Sequence, residues 1–198
     1  MTRHDFLRRF QLHPAPNIQR PLIKRLRPAA VLVPLFEDNG ELHLILTQRS
    51  AQLRHHAGQI SFPGGRQEPH DRDLYATAVR EAQEEIGLHP EDITLVGQLH
   101  DYPVMSNFLI RPYVVLINPR QPLQRDHREV AEIFTVPLRE VLHQNKHYVY
   151  RLRRFIYDQV YFIPYQQRNI WGATAGILRE LADHVYPERQ FIYRPLND

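Results

Sequence analysis

The sequence predicts an α/β domain with a mixed sheet packed between helices, and three patterns support this class. An Asn39-Gly40 pair between two β-rich runs is a strong hairpin signal. An amphipathic helical segment follows the hairpin, and further strand-like runs separate it from a last helical segment. The strand-like runs are 29–35, 42–47, 93–100 and 108–117, and the helical segments are 74–86 and 170–185. This order of elements is typical of one α/β domain.

Composition narrows the class of protein. A chain of 198 residues with 42% hydrophobic residues suits one domain with its own core. The net charge of +3 fits an anionic small-molecule substrate and is too weak to argue for a nucleic-acid partner. The absence of cysteine excludes disulfides and thiolate chemistry. We find no apolar signal-peptide core and no apolar run near the ~20 residues that span a bilayer, so we expect a cytoplasmic protein without a membrane partner.

The segments outside the central domain have distinct characters. Residues 1–28 comprise a short amphipathic helix over 3–12 and a basic, proline-punctuated arm. Phe6, Leu7 and Phe10 share one side of that helix, which could cap the core or contact a partner subunit in a homodimer. The central domain is expected at 29–185, and it is followed by an aromatic, basic tail at 186–198.

Residues 74–86 form the helix around which the functional argument is built. Asp73 is suited to the N-cap position, and Gly87 is suited to ending the helix. On a helical wheel, one narrow apolar stripe consists of Tyr75, Val79, Ala82 and Ile86. This stripe must face a core, and the wheel places the glutamates of the helix roughly opposite it.

Those glutamates, Glu81, Glu84 and Glu85, would repel one another on a shared helical face and raise one another's pKa. A divalent cation removes that cost, and an all-oxygen ligand set suits Mg²⁺ or Mn²⁺ rather than zinc. Arg80 lies one turn before Glu84, at a spacing that lets its guanidinium orient that carboxylate. The alternative to a metal site is that these three glutamates form a solvated acidic face of the helix.

The double glycine Gly64-Gly65 upstream favours the ligand site over that alternative. Two glycines allow a tight turn and a close approach of the backbone to a ligand, and they free a carbonyl, that of Gly64, for coordination. The polar loop before this turn contains three groups able to hold phosphate, namely Arg49, Arg54 and His56. A second basic group, at Arg151, Arg153 and Arg154, is either a solvated face or a binding surface for a highly phosphorylated ligand.

Gly65, Arg80-Glu81 and Glu84-Glu85-Ile86-Gly87-Leu88 together resemble the signature of the Nudix hydrolases. The second half of that signature matches at every fixed position. The first half departs from it, because Asp71 stands where the family usually has Glu, and eight residues rather than seven separate Asp71 from Arg80. The longer spacing, and the run from Leu46 through Gly58-Gln59 to Gly65, resemble the coenzyme A pyrophosphatase branch of the family.

The resemblance implies the Nudix α/β/α sandwich over roughly residues 29–185 and metal-dependent hydrolysis of a diphosphate bond. It implies that Glu81 and Glu85 are the primary metal ligands, with Glu84 and the Gly64 carbonyl completing the shell. The general base is Glu84, Glu85 or Glu129, with Glu132 as a further candidate in the region of Glu129. The substrate implied is coenzyme A or an acyl derivative, bound by Arg49, Arg54, His56 and Gly65.

Two other functions are compatible with the sequence. One is a Nudix enzyme acting on a nucleotide sugar or a dinucleotide. The other is a Nudix fold retained as a non-catalytic binding module. The intact set Glu81, Glu84 and Glu85 argues against the second, because clustered carboxylates are costly without a metal.

Overall fold

The computed structural model describes residues 1–18, 20, 26–53, 56–152, 159–188 and 194–195. The chain forms two compact units. The first comprises residues 1–18, 37–42 and 137–198, and the second comprises residues 19–36 and 43–136. None of the helices in the described ranges has the length and apolar character needed to cross a membrane.

The predicted hairpin is present and longer than the sequence pattern indicated. Strand β1 runs over Arg27–Asp38 and strand β2 over Glu41–Arg49. The turn between them uses Asn39 and Gly40 at φ values of 50° and 77°, the left-handed conformation that such two-residue turns require. The hairpin signal was therefore correct because the turn chemistry is local.

The larger sheet is mixed, as predicted, and most of it belongs to the second unit. Its other strands are β3 (Ile60–Ser61), β4 (Gly64–Arg66), β5 (Ile93–Gln98), β6 (Tyr102–Pro103), β7 (Phe108–Ile117) and β8 (Val130–Pro137). The central order is β3-β2-β1-β7-β5, while β4 pairs with β1, β6 with β7 and β8 with β2. Strands β1 and β7 are parallel, and β4 and β5 run antiparallel to their partners.

Helix α2, Leu74–Ile86, packs on this sheet and has the predicted ends. The Asp73 side chain accepts a hydrogen bond from the Ala76 N–H at 2.8 Å, and Gly87 ends the helix at φ 67°. Ala82 and Ile86 are buried, as the apolar stripe predicted. They belong to a core made of Ala30, Leu32, Ile45, Ala78, Ala82, Ile86, Leu88, Tyr113, Val115 and Ile117.

The first unit contains the smaller sheet, with the order β11-β10-β9-β12. Its strands are β9 (Tyr148–Arg151), β10 (Gln159–Tyr165), β11 (Arg168–Trp171) and β12 (Arg194–Pro195). Strands β9 and β10 are antiparallel, and residues 153–158 between them lie outside the described residues. Strand β11 was missed: Ile170 was expected in the last helix, but it pairs with Ile163 in the sheet.

The helices of the first unit complete its core. They are α1 (Arg3–Leu12), α3 (Leu138–Val141) and α4 (Gly172–Val185), and short 3₁₀ turns occur at Pro90–Asp92 in the second unit and Gln144–Lys146 in the first. Phe6 and Phe10 of α1 are buried, and Phe10 stacks on His184 of α4 with ring centroids 4.3 Å apart. Helix α1 therefore packs Phe6 and Phe10 into the core of its own unit, which is the first of the two roles predicted for its apolar side.

Candidate active site

The glutamates of α2 do not share one exposed face, and this corrects the helical-wheel prediction. Glu84 is the outward-facing one, with 60% of its side chain exposed, whereas that of Glu81 is 16% exposed and that of Glu85 only 4% exposed. The reason is that α2 packs against β4 as well as against the core, so the buried part of its surface is wider than the apolar stripe. Glu81 and Glu85 therefore lie against the glycine turn.

Glu85 is a buried carboxylate with two partial compensations for its charge. Its Oε2 accepts a hydrogen bond from the Gly64 N–H at 3.1 Å, and its Oε1 lies 3.5 Å from Nη1 of Arg49. Burial raises the pKa of Glu85 to about 8, and the nearby charges of Glu81 and Glu129 act in the same direction. The hydrogen bond from Gly64 and the charge of Arg49 oppose this rise without cancelling it.

The two glycines of β4 are required by contacts on opposite sides of the strand. A Cβ on Gly65 would lie 2.5 Å from the carboxylate carbon of Glu81. A Cβ on Gly64 would instead overlap the backbone of β1, at the Ala30 carbonyl oxygen and the Val31 Cα. Gly65 thus makes room for the Glu81 carboxylate, and Gly64 lets β4 approach β1 closely enough to present its N–H to Glu85.

Glu81 is a second carboxylate of α2 whose pKa is raised. Its burial raises its pKa, Arg80 opposes the rise, and the charges of Glu84 and Glu129 add to it. Nη1 of Arg80 lies 3.0 Å from Oε1 of Glu81 and also donates to Oε2 of Glu84 at 3.0 Å. The predicted pairing of Arg80 with Glu84 is present in this structure, and the same guanidinium nitrogen contacts both glutamates.

Asp71 is the residue of this site whose role the sequence analysis missed. Its carboxylate receives hydrogen bonds from Nε and Nη2 of Arg80 at 2.9 and 3.1 Å, from the Thr77 hydroxyl at 2.9 Å and from the Glu68 N–H at 2.8 Å. These hydrogen bonds hold the pKa of Asp71 far below its usual range, and the largest contribution comes from Arg80. The signal was visible, because Asp71 occupies the acidic position of the signature.

Arg49 ends β2, and His56 lies in the loop between β2 and β3. The Arg49 N–H donates to the Gln59 carbonyl at 2.9 Å, and Nδ1 of His56 lies 2.8 Å from Oε1 of Gln59. His56 itself has a left-handed backbone, with φ 58°. The structure thus connects Arg49, His56 and Gln59, while Arg54 lies outside the described residues.

Glu129 reaches the site from the loop before β8. The Ser50 N–H donates to the Glu129 carbonyl at 2.8 Å, which ties this loop to the end of β2. The charge of Glu129 contributes to the raised pKa of both Glu81 and Glu85. Glu132 is half-buried in β8.

Comparison with known proteins assigns the family. The NUDIX domain matches residues 25–158, which is more than half of the chain. The chain belongs to the Nudix family. A Photorhabdus laumondii protein is 43% identical over 182 residues, covering 91% of this chain and 96% of that protein. An Escherichia coli protein is 39% identical over 183 residues, covering 92% of this chain and 94% of that protein. Both carry the name "Uncharacterized Nudix hydrolase NudL".

Solved structures agree at the level of the fold. A MutT/nudix family protein from Enterococcus faecalis has a TM-score of 0.53 at 13% identity, covering 96% of this chain and 76% of that one. The Nudix hydrolase RenU from M. smegmatis has a TM-score of 0.50 at 23% identity, covering 65% of this chain and 80% of that one. The predicted Nudix-type α/β fold with a mixed sheet is thereby confirmed.

Nudix hydrolases generally use divalent metal ions, and the Nudix helix of this protein has suitable donors. Glu81 and Glu85 are oxygen donors whose charges are costly without a cation, which is shown by the raised pKa of each. Within the described ranges, no three acidic or histidine side chains already converge on one point. Glu84 accepts a hydrogen bond from Arg80. Glu84 and the Gly64 carbonyl both remain predicted ligands.

The second basic group predicted from the sequence belongs to the other unit of this Nudix protein. Arg151 ends β9 and is exposed, and Arg153 and Arg154 lie outside the described residues.

At the candidate site, the structure brings together Arg49, Gly64, Gly65, Arg80, Glu81, Glu84, Glu85 and Glu129. All of these residues are in the second unit.

Proposed function

We propose that this Nudix hydrolase cleaves the pyrophosphate bond of coenzyme A or an acyl-coenzyme A. The observation that carries the proposal is the position of Arg49. This residue comes from the upstream run that resembles the coenzyme A pyrophosphatase branch, and its guanidinium lies 3.5 Å from the buried carboxylate of Glu85. The branch-specific run and the Nudix helix thus meet at one place, where a phosphate group near the carboxylates would find a guanidinium.

The reaction is the addition of water to one phosphorus of the diphosphate. The bond from that phosphorus to the bridging oxygen breaks, the water proton passes to a base, and the products are 3′,5′-ADP and 4′-phosphopantetheine or its acyl form. A divalent cation, Mg²⁺ or Mn²⁺, would lower the pKa of the attacking water and stabilise the developing phosphate charge. Glu81 and Glu85 would hold that cation, Gly65 leaves room for Glu81, and Arg49 would bind phosphate.

The three candidates for the base differ in their surroundings. Glu84 is exposed and hydrogen-bonded to Arg80, and Glu85 is buried between Gly64 and Arg49. Glu129 is exposed, and its charge is felt by Glu81 and Glu85. The variant Glu129→Gln tests whether Glu129 is the base. If Glu129 is the base, kcat falls, the decrease of kcat at acidic pH that reports ionisation of the base changes, and the Mg²⁺ affinity measured by calorimetry stays near that of the wild type.

A substrate panel tests the proposed function. Coenzyme A, acetyl-coenzyme A, a nucleotide sugar and a dinucleotide are incubated with Mg²⁺ or Mn²⁺, and the products are resolved by chromatography. The coenzyme A substrates should give the highest kcat/KM and the two products named above. Faster hydrolysis of a nucleotide sugar or dinucleotide would exclude the coenzyme A assignment, and no hydrolysis of any member would favour a binding module.

3′-Dephospho-coenzyme A probes the recognition of coenzyme A without altering the scissile bond. A charge-assisted contact to the 3′-phosphate is worth about 1.5–3 kcal/mol, so loss of that phosphate should lower kcat/KM about ten- to a hundredfold. Arg49→Ala, Arg54→Ala and His56→Ala test the loop, and Arg151→Ala tests the second group. In the variant that lacks the responsible residue, the two substrates should be hydrolysed almost equally. Equal rates in the wild type would contradict the assignment.

A further inference from the structure

Arg49 has a fixed backbone and an incompletely paired guanidinium. Its N–H donates to the Gln59 carbonyl at 2.9 Å, and its carbonyl accepts from the Gly58 N–H at 3.2 Å. Nη1 faces Oε1 of Glu85 at 3.5 Å, whereas Nε is buried without a hydrogen-bond partner among the described residues. A buried guanidinium N–H without an acceptor is costly, so this arrangement leaves a donor ready for a further ligand.

The contact between Arg49 and Glu85 is an ion pair rather than a close bidentate bond. The shortest distance between the guanidinium and the carboxylate is the 3.5 Å from Nη1 to Oε1, and Oε2 of Glu85 accepts a hydrogen bond from the Gly64 N–H. Glu85 has 4% of its side chain exposed, so water contributes little to the stabilisation of its charge. Arg49 therefore provides a positive charge where a metal ligand needs one.

We propose that Arg49 is an exchangeable counter-ion: it neutralises Glu85 while the cation site is empty and turns to substrate phosphate when Glu85 binds a divalent cation. This inference rests on the proposed cation site at Glu81 and Glu85. Two positive charges cannot share Glu85 cheaply, because like charges a few ångströms apart repel strongly at low dielectric. The planar fork of arginine matches a phosphate, and Nε would then gain the acceptor that it lacks. Cation and substrate binding would thus be coupled through one side chain.

The first test measures cation binding without any substrate. Mg²⁺ is titrated by calorimetry into wild type, Arg49→Gln and Arg49→Lys at pH 9. Loss of the competing charge should tighten Mg²⁺ binding about five- to tenfold in Arg49→Gln, while Arg49→Lys stays near wild type. Arg72→Gln, which removes an 82% exposed arginine paired with Asp73, is the matched control and should bind Mg²⁺ as wild type does.

The second test uses urea unfolding at the same pH. In EDTA, Arg49→Gln should raise the unfolding equilibrium constant, because Glu85 loses its counter-ion. In saturating Mg²⁺ this difference should largely disappear, since linkage requires the factor lost in EDTA to return as tighter cation binding. Equal Mg²⁺ affinity in wild type and Arg49→Gln would overturn the proposal. So would an unfolding difference that is the same with and without Mg²⁺.

The third test asks whether Arg49 moves to phosphate or only repels the cation from a fixed position. ADP binding to the Mg²⁺-loaded proteins should weaken about tenfold or more in Arg49→Gln, as expected for loss of a charge-assisted contact. Unchanged ADP affinity beside tighter Mg²⁺ binding would show fixed repulsion and exclude the exchange. None of these measurements uses coenzyme A, so the proposed substrate could fail while the exchange is confirmed, and the reverse is equally measurable.

Discussion

Arg80 binds Asp71 through two parallel hydrogen bonds of 2.9 and 3.1 Å and uses its remaining nitrogen for Glu81 and Glu84. Asp71 is almost fully buried, at 3% side-chain exposure, and precedes the helix that contains Arg80. The orientation of the Nudix glutamates therefore depends on a carboxylate from the loop before α2. Asp71, which stands where the family usually has glutamate, pairs with Arg80 across eight intervening residues.

Arg80→Lys should lower kcat with little change in KM. Lysine keeps the charge but cannot reproduce the planar fork that contacts Asp71. The glutamates therefore lose their orientation, while the substrate loses no contact. Steady-state kinetics and urea unfolding of the same variant separate the catalytic from the structural effect. Asp71→Asn should lower kcat in the same way. A large increase in KM at constant kcat would show that Arg80 contacts substrate.

Glu81→Gln and Glu85→Gln should each reduce kcat by orders of magnitude, as expected when a catalytic cation loses a ligand. The fold should survive both changes, because glutamine has nearly the volume of glutamate, and the amide oxygen placed at residue 85 can still accept the hydrogen bond from the Gly64 N–H. Kinetics with Mg²⁺ and denaturation in EDTA measure the two effects. Near-normal turnover in both variants, together with insensitivity to EDTA, would contradict a metal site on this helix.

Gly65→Ala and Gly64→Ala should separate activity from stability. The atoms nearest to the new Cβ at residue 65 are those at the movable end of Glu81, so we expect kcat to fall more than tenfold while stability drops by about 1 kcal/mol or less. At residue 64 the Cβ meets the backbone of β1, so we expect a loss of several kcal/mol or failure to fold. Kinetics and chemical denaturation test the pair. Similar behaviour of both variants would contradict the assigned contacts.

His147 should make the protein less stable in mild acid. It is 1% exposed, and its Nε2 lies 2.7 Å from the Val141 carbonyl. Burial lowers its pKa, the nearby charges of Arg179 and His143 act in the same direction, and the hydrogen bond to Val141 opposes them. Above the unfolded value of about 6.5 both states are neutral. Below it, the unfolded chain takes up a proton that the folded protein resists, so the free energy of unfolding falls as pH falls.

The measurement is the slope of unfolding free energy against pH between about 5 and 6.5, below the reference pKa of histidine. His147→Gln keeps a donor for Val141 and removes the titration, so its slope should be flatter than that of wild type. His89→Gln, at an exposed position, is the matched control and should retain the wild-type slope. An identical slope in His147→Gln and wild type would refute the prediction.

The sequence by itself predicted most of the elements and the residue types that stand at the candidate site. The β1–β2 turn and both ends of α2 could be predicted because they depend on backbone conformations and caps specified by a few adjacent residues. The apolar stripe of α2 likewise followed from helical periodicity alone. The type of ligand followed from the residue types, since clustered carboxylates beside a double glycine point to a hard cation.

Only the tertiary structure decided how the glutamates are divided. A helical wheel has one buried side, but α2 contacts β4 as well as the core, so Glu85 is buried while Glu84 remains exposed. The pairing of Arg80 with Asp71 and that of Glu85 with Arg49 are tertiary contacts between different segments of the chain. Such contacts leave no periodic pattern in the sequence. Strand β11 was missed for the same reason, because a short strand is specified by its neighbour in the sheet rather than by its own residues.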